Sequence, residues 1–215
     1  MRSVSVETVI AGALGSHPAA QGLALEVQRL HQRYAAEVVA RWGLCPFLRD
    51  PETAFGCFAV VLDREPVLDE AMRVAQGAKS SVIHLVYPLV SGESRPFERF
   101  GQELATALRA SSPNAPVHAV FHPRMSGDAS SPGRRIGLVR HAPDPFVQLV
   151  PAGLQGGGTV LAMPGEPLPS SPPPRSRLGL LSASEMEEVV ATLDDLKADR
   201  ERAYAPWLEA LASAL

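Results

Sequence analysis

Apolar residues recur along the chain at spacings that separate helices from strands. Over Ala19–Trp42 they return every three or four residues, the spacing of one helix face. Gly43 follows, at the place where helices commonly end. The same spacing marks Glu65–Ala78 and Arg95–Ala110. The pattern therefore predicts three helices in the first half of the chain.

Three short apolar runs, rich in β-branched and aromatic residues, are predicted strands: Ala54–Leu62, Ser80–Tyr87 and Pro116–His122. They alternate with the predicted helices, an order typical of a sheet built through right-handed crossovers. A further strand is expected at Phe146–Val150, paired with Thr159–Met163 through a glycine-rich turn. The sequence thus predicts an α/β fold with three or more strands in one parallel or mixed sheet, with α+β as the alternative.

A proline- and serine-rich stretch, residues 164–178, divides the chain. Its composition is that of a semi-rigid linker, which cannot pack a core. The predicted organisation is an α/β domain over residues 1–163, this linker, and a C-terminal helical segment over residues 179–215. Ser182 or Ser184 is the candidate cap of the last helix, and Pro206 is expected to break or kink it.

Charge and composition narrow the classes of function. The 215 residues carry a net charge of −3, so no basic field indicates nucleic acid. No stretch approaches the roughly 18–20 uncharged apolar residues that span a bilayer. We expect a cytoplasmic protein that binds neither nucleic acid nor membranes, with Cys45 and Cys57 reduced and not joined by a disulfide. Its oligomeric state and cofactors stay open.

Cys45 and His122 are the candidate catalytic residues. Cys45 lies in a turn after the first helix, where a thiol is a candidate nucleophile or metal ligand. The competing interpretation is a small buried hydrophobe, and for Cys57, inside a predicted strand, that interpretation is stronger. His122 ends the third predicted strand, and ligands of open α/β sheets bind at the carboxyl ends of strands. We assign it the role of general acid or base.

Three histidines of the predicted sheet, His84, His118 and His122, raise the question of a metal. Converging imidazoles suit zinc or iron. No ligand spacing such as His-x-x-x-His accompanies them, and histidines within strands are commonly half-buried and hydrogen-bonded locally. No metal site is therefore predicted.

The stretch after the third predicted strand, Arg124–Ala142, is expected to be a loop and is rich in positive charge. Arg124, Arg140 and His141 are the candidate ligand-binding residues, because guanidinium groups bind carboxylate and phosphate through paired hydrogen bonds. The alternative is a solvated loop whose charges only aid solubility. The ligand that this stretch implies is small and anionic.

Two short motifs resemble a bacterial family of unassigned activity. Leu44-Cys45-Pro46-Phe47 and Phe121-His122-Pro123 are similar to motifs of domain-of-unknown-function family 1415, and the resemblance covers roughly Tyr34–Leu154. The family has histidine where this chain has Tyr87, and its arginine-containing last motif is altered here at Arg140-His141. The resemblance implies a shared Cys/His site in a divergent member with altered or no activity.

Three functions stay open. The first is an enzyme, or former enzyme, that acts on a small anionic metabolite through His122 and Cys45, with Arg124 and Arg140 binding the anion. The second is a non-catalytic binding or regulatory module whose C-terminal helix docks on a partner or a second subunit. The third is a cytosolic redox or metal-handling protein. Because the resemblance rests on the two motifs that contain them, Cys45 and His122 are expected to lie close together at the carboxyl ends of the strands, in a shared site or in a shared packing contact.

Overall fold

A computed structural model describes residues 7–44, 56–80, 82–112, 114–128, 130–151 and 177–212, without the side chains of residues 132 and 133. Within these ranges, five strands form one mixed sheet with helices packed on both faces, which confirms the predicted α/β class. The strands are β1 (Glu7–Ala11), β2 (Cys57–Val61), β3 (Ile83–Val86), β4 (Val117–Phe121) and β5 (Phe146–Val150). The α-helices are α1 (Ala20–Tyr34), α2 (Leu68–Gly77), α3 (Ser94–Ser111), α4 (Pro132–Val139) and α5 (Ala183–Ala212).

The order of strands across the sheet is β1-β2-β3-β5-β4. β1, β2 and β3 pair in parallel, whereas β5 is antiparallel to both of its neighbours, β3 and β4. β4 therefore runs in the same direction as the first three strands. The carboxyl ends of these four strands lie at the same end of the sheet, which we call the carboxyl rim. The first residues beyond the strands there are Gly12, Leu62, Tyr87 and His122.

Side chains alternate along the strands between two apolar layers. Phe58 and Phe146 belong to the layer beneath α1 and α5, which we call the α1/α5 layer. Leu85 and Val147 belong to the layer beneath α2 and α3, the α2/α3 layer. The buried residues that α5 contributes to its layer are Met186, Val189, Leu193, Leu196, Tyr204 and Leu211. The C-terminal helix thus shares one core with α1.

The secondary structure predicted for the sheet and the loop after β4 was wrong in three places. β1 precedes the strand that was expected to be first. The stretch predicted to be a loop contains α4, whose cap, Ser131, accepts a hydrogen bond from the Arg134 N–H. β5 pairs with a strand on each side rather than within a hairpin of its own. Its expected partner, Thr159–Met163, lies outside the described residues.

The helical conformation of the chain continues beyond Tyr34, the last residue of α1. It continues as a π-helical segment over Ala35–Ala40, and beyond it the Leu44 N–H donates to the Val39 carbonyl, five residues back. Short π-helical segments often lie beside functional sites. The description of this part of the chain ends at Leu44, immediately before Cys45.

α5 begins with a reciprocal pair of hydrogen bonds. The Ser182 hydroxyl accepts from the Glu185 N–H at 3.2 Å, and the Glu185 carboxylate accepts from the Ser182 N–H at 2.7 Å. This arrangement is a capping box, so Ser182 is the cap of the two candidates. The helix continues through Pro206 to Ala212, so of the break or kink expected at the proline, the break is wrong.

Candidate functional site

His122 occupies the first position of a tight turn at the carboxyl rim. The Met125 N–H donates to the His122 carbonyl at 3.0 Å, closing a four-residue turn with Pro123 at its second position. Proline suits that position because its φ is already fixed. No non-glycine residue in the described chain has a positive φ, so the turn is not type II. The sequence Phe-His-Pro thus ends β4 and holds the imidazole at the rim.

The hydrogen bond made by His122 defines the position of its ring proton. Its side chain is buried, at 2% exposure, and Nδ1 accepts from the Arg124 N–H at 3.0 Å. Burial, and then the charge of Arg124, hold the pKa of His122 below its ordinary value, so the ring is neutral at pH 7. A neutral imidazole whose Nδ1 accepts carries its proton on Nε2. His122 therefore presents an N–H donor.

This Nε2–H donor is buried and has no hydrogen-bond partner among the described residues. The ring packs against Phe97, the fourth residue of α3, with 5.9 Å between ring centroids. Buried polar groups are nearly always hydrogen-bonded, and an unpaired donor costs free energy. Such a group calls for an explanation, and an acceptor on a ligand is one.

Two of the three predicted ligand-binding residues lie beside His122. Arg124 Nη1 is 3.3 Å from the Glu93 carboxylate, and both side chains are more than half exposed. The His141 ring hydrogen-bonds to the Met125 carbonyl within the same turn. The backbone N–H of His122 donates to the Arg140 carbonyl at 3.1 Å, which joins the turn to the segment that contains Arg140 and His141. The structure thus brings His122, Arg124 and His141 together.

The Arg140 side chain is directed elsewhere. Its guanidinium lies over the Phe121 ring, 5.8 Å from the ring centroid. Phe121 belongs to the α1/α5 layer, whereas Phe97, which contacts His122, belongs to the α2/α3 layer. The backbone of Arg140 supports the turn, but its charge does not lie beside the His122 Nε2.

The two cysteines differ in what the structure describes. Cys45 lies outside the described residues, so its distance from His122 stays a prediction. Cys57 is a free, buried thiol in β2, as its place in an apolar strand predicted. Burial, followed by the nearby Glu7 carboxylate, raises the pKa of Cys57 to about 12. Cys57 is therefore not a nucleophile at neutral pH.

Of the three histidines of the sheet, His84 lies in a different layer from His122 and from His118, which pairs with Leu149. The His84 ring contacts Phe146 in the α1/α5 layer and is 2.9 Å from the Gln148 side-chain nitrogen. The His122 ring lies in the other layer, against Phe97. Within the described ranges, no group of three or more His, Cys, Asp or Glu side chains is arranged to hold a metal ion. None of the helices described there has the length and apolarity to cross a membrane.

Sequence reasoning missed a buried polar cluster beneath α5. The Asp144 carboxylate, fully buried, accepts hydrogen bonds from Arg200 Nε at 2.7 Å, the Tyr204 hydroxyl at 2.7 Å and His31 Nε2 at 3.2 Å. Arg200 also donates to the Pro88 carbonyl at 2.8 Å. Burial opposes ionisation of Asp144, but the His31 hydrogen bond and the Arg200 charge outweigh it, and its pKa is lowered. We call these four side chains the Asp144 cluster.

A pocket of about 420 Å³ opens at the end of the sheet opposite the carboxyl rim, between the ends of α2 and α3. Its floor includes Ile83, Leu108 and Leu149, and none of its described lining residues is charged. A small anion would find no charged group there to pair with. The pocket therefore does not compete with the carboxyl rim as the site predicted from the arginines.

Comparisons with known protein families, with characterised proteins and with solved structures find no match for this chain. The resemblance carried by the motifs around Cys45 and His122 therefore stays a prediction.

Proposed function

We propose that this protein is a cytoplasmic enzyme, or a former enzyme that keeps its ligand, and that it binds a small anionic metabolite at the carboxyl rim beside β4. The observation that carries the proposal is the buried Nε2–H of His122, which lacks a partner among the described residues. The positive charge of Arg124, two residues on, acts on the same ring. A neutral donor beside a guanidinium is suited to the oxygen atoms of an anion.

The proposed roles differ from those expected at first. Arg124 and His141 are the proposed ligand-binding side chains, because Arg124 belongs to the turn that holds His122 and the His141 ring hydrogen-bonds to Met125 of that turn. Arg140 takes a supporting role, since its carbonyl accepts the His122 N–H while its guanidinium lies over Phe121.

In the enzymatic form of the proposal, Cys45 is the nucleophile and His122 is the acid. Because the His122 proton is on Nε2, this nitrogen is suited to donate to an oxygen of the substrate. It is not suited to take the proton of the Cys45 thiol. A thiolate at Cys45 would have to arise from another cause, such as a neighbouring positive charge.

The alternative, a module that docks on a partner through the C-terminal helix, has less support. The apolar residues of α5 pack against α1 and the sheet within the same chain. That face is consequently occupied in the folded protein, and the remaining surface of α5 is mostly polar.

Thermal unfolding in a panel of small carboxylates and phosphates tests the proposal. We expect at least one compound to raise the Tm of the parent protein, because a ligand that binds only the folded state stabilises it by mass action. His122→Phe keeps a ring but removes the donor, and the shift should be lost. His118→Phe, the same change four residues earlier within β4, should keep it. An equal shift in His122→Phe, or no shift with any compound, would contradict the proposal.

Labelling of Cys45 by a thiol reagent tests its place in the same site. If Cys45 and His122 share a site, the labelling rate should change in His122→Ala, because the ring would no longer lie beside the thiol. Peptide mass spectrometry separates Cys45 from Cys57, whose raised pKa keeps it slow. An unchanged rate would leave a packing contact as the better account of the two motifs.

A further inference from the structure

We infer that the group bound at this site is a singly charged carboxylate, held between His122 and the first turn of α3, and not a phosphate. The inference deepens the proposed function, on which it rests, by naming the chemistry of the ligand.

The first turn of α3 offers backbone donors without a side-chain cap. Glu93 occupies the cap position, but its carboxylate makes no capping hydrogen bond. Instead it reaches Arg124, with 3.3 Å between Oε1 and Nη1. The first N–H groups of a helix have no partner within the helix, and the helix dipole favours negative charge there. An 18-residue helix therefore begins beside Arg124, and the N–H groups of its first two residues, Ser94 and Arg95, are not capped by the Glu93 side chain; the third residue, Pro96, has no N–H.

His122 gives an independent reason to place a ligand at this helix start. Its ring packs against Phe97, one turn into α3, and its buried Nε2–H lacks a partner in the part of the chain that the structure describes. The turn that follows β4 thus contacts α3 twice, through His122 at Phe97 and through Arg124 at Glu93. One oxygen acceptor between these contacts would serve both the imidazole and the helix start.

The charges around the imidazole favour a monoanion. Those that act on His122 are the Arg124 guanidinium and the carboxylates of Glu93 and Glu98, with His141 as a fourth neighbour. Arg124 offers a ligand one positive charge, and the two carboxylates oppose negative charge beyond it. A phosphate, mostly dianionic above pH 7, would therefore meet more repulsion from Glu93 and Glu98 than a carboxylate would.

The Glu93–Arg124 ion pair indicates how a carboxylate ligand would bind, by replacing Glu93 at the Arg124 guanidinium. Arg124 already pairs with a carboxylate, and that pair is exposed, so exchanging Glu93 for a ligand carboxylate costs little. Removing the competitor should then strengthen binding. Glu93→Gln is expected to raise the affinity for a carboxylate at least threefold. Glu98→Gln, which removes a charge of the same sign without touching Arg124, should raise it less.

Histidine ¹⁵N NMR of the full chain at pH 7.5 tests the inference, with acetate and inorganic phosphate as probes. Acetate should shift the His122 Nε2–H resonance and bind at least fivefold more tightly than phosphate. The resonance is assigned by its absence in His122→Phe, or in His122→Gln if the first variant does not fold. Arg124→Ala, which keeps the His122 resonance, should lose most of the acetate affinity.

Each contrary result has a separate meaning. Phosphate binding as tight as acetate binding would overturn the inference and leave the proposed anion site standing. A proton found on Nδ1 would overturn the donor role, and with it the inference. No response to either anion in the parent and in Glu93→Gln would overturn both the inference and the proposed function.

Discussion

Asp144→Asn is expected to lower the free energy of unfolding by about 3–5 kcal/mol, the usual cost of removing one partner from a buried ion pair. The substitution keeps the size of the side chain but leaves the Arg200 guanidinium, 22% exposed, without its carboxylate. It also turns an amide N–H₂ toward donors, because the two carboxylate oxygens together accept from Arg200, Tyr204 and His31. At least one donor is left buried and unpaired.

Urea unfolding at pH 7 with linear extrapolation measures this loss. Asp128→Asn is the matched control: Asp128 pairs with Arg134 at 2.6 Å but is 46% exposed, so its loss should be far smaller. Tyr204→Phe removes one donor while keeping the ring in its layer. It should cost about 1.5–3 kcal/mol, the range for a hydrogen bond to a charged group.

The pH dependence separates an ionised carboxylate from a neutral one. The folded pKa of Asp144 lies below its ordinary value of about 3.9, because the His31 and Arg200 contacts outweigh burial. The unfolded chain then takes up a proton first as the pH falls. The stabilisation is present above about pH 4 and is lost as the pH falls toward the folded pKa. The difference between parent and Asp144→Asn should therefore narrow from pH 7 to pH 3.

Two results would refute this reasoning. A loss below about 1 kcal/mol at pH 7 would mean that the cluster relaxes or hydrates without the carboxylate. A difference between parent and variant that stays constant down to pH 3 would mean that folding does not lower the pKa of Asp144, and one that widens as the pH falls toward 4 would mean that the carboxyl is neutral in the folded protein.

Three other predictions follow from single features. Because the pKa of His122 is lowered in the folded protein, the unfolded chain binds a proton more readily below about pH 6.5. The Tm of the parent should therefore fall more between pH 7.5 and pH 5.5 than the Tm of His122→Phe does. Equal losses would contradict the lowered pKa. Cys57, with a pKa of about 12, should resist iodoacetamide in the native protein and react in urea, as mass spectrometry will show, and fast native alkylation would argue against its burial. Gly22→Ala should cost about 1–3 kcal/mol in urea unfolding, because the new Cβ would lie 2.4 Å from the Trp207 ring where α1 and α5 meet. Gly77→Ala, with no atom within 4 Å of its Cβ, should be neutral or stabilising, and equal effects of the two changes would contradict the close packing.

The helices and strands with many buried positions in a regular pattern, such as α3 and β2, were predictable from the sequence. The short elements β1 and α4, which lack such a pattern, were not. α3 keeps its apolar residues on one face over five turns, and every residue of β2 is buried. β1 is a five-residue edge strand in which only Ala11 is fully buried, too weak a pattern to predict a strand. α4 contains Gly137, whose absent side chain lets the helix approach the Ser126 carbonyl, where a Cβ would lie 1.9 Å from the oxygen. Tertiary packing, rather than propensity, accounts for this helix.

Predictability of the site divides in the same way. Proline after a strand end predicted that His122 would lie at the rim, because proline cannot continue the ladder. The direction of the Arg140 side chain depends on the Phe121 ring and on packing, which spacing does not reveal. The Asp144 cluster joins residues 113 and 56 positions away, His31 and Arg200. Nothing in the local pattern of α5 distinguishes Arg200 from its exposed neighbours.

The pairing of α1 with α5 has a consequence for protein synthesis. Leu23 and Leu30 belong to the same layer as Leu193 and Leu196, yet α5 is translated about 150 residues after α1. At about 5–20 residues per second, the ribosome needs roughly 8–30 s to make the intervening chain. Throughout that interval the apolar face of α1 lacks its cover, and exposed faces of this kind are prone to aggregate. The nascent chain is thus expected to depend on chaperones until α5 emerges.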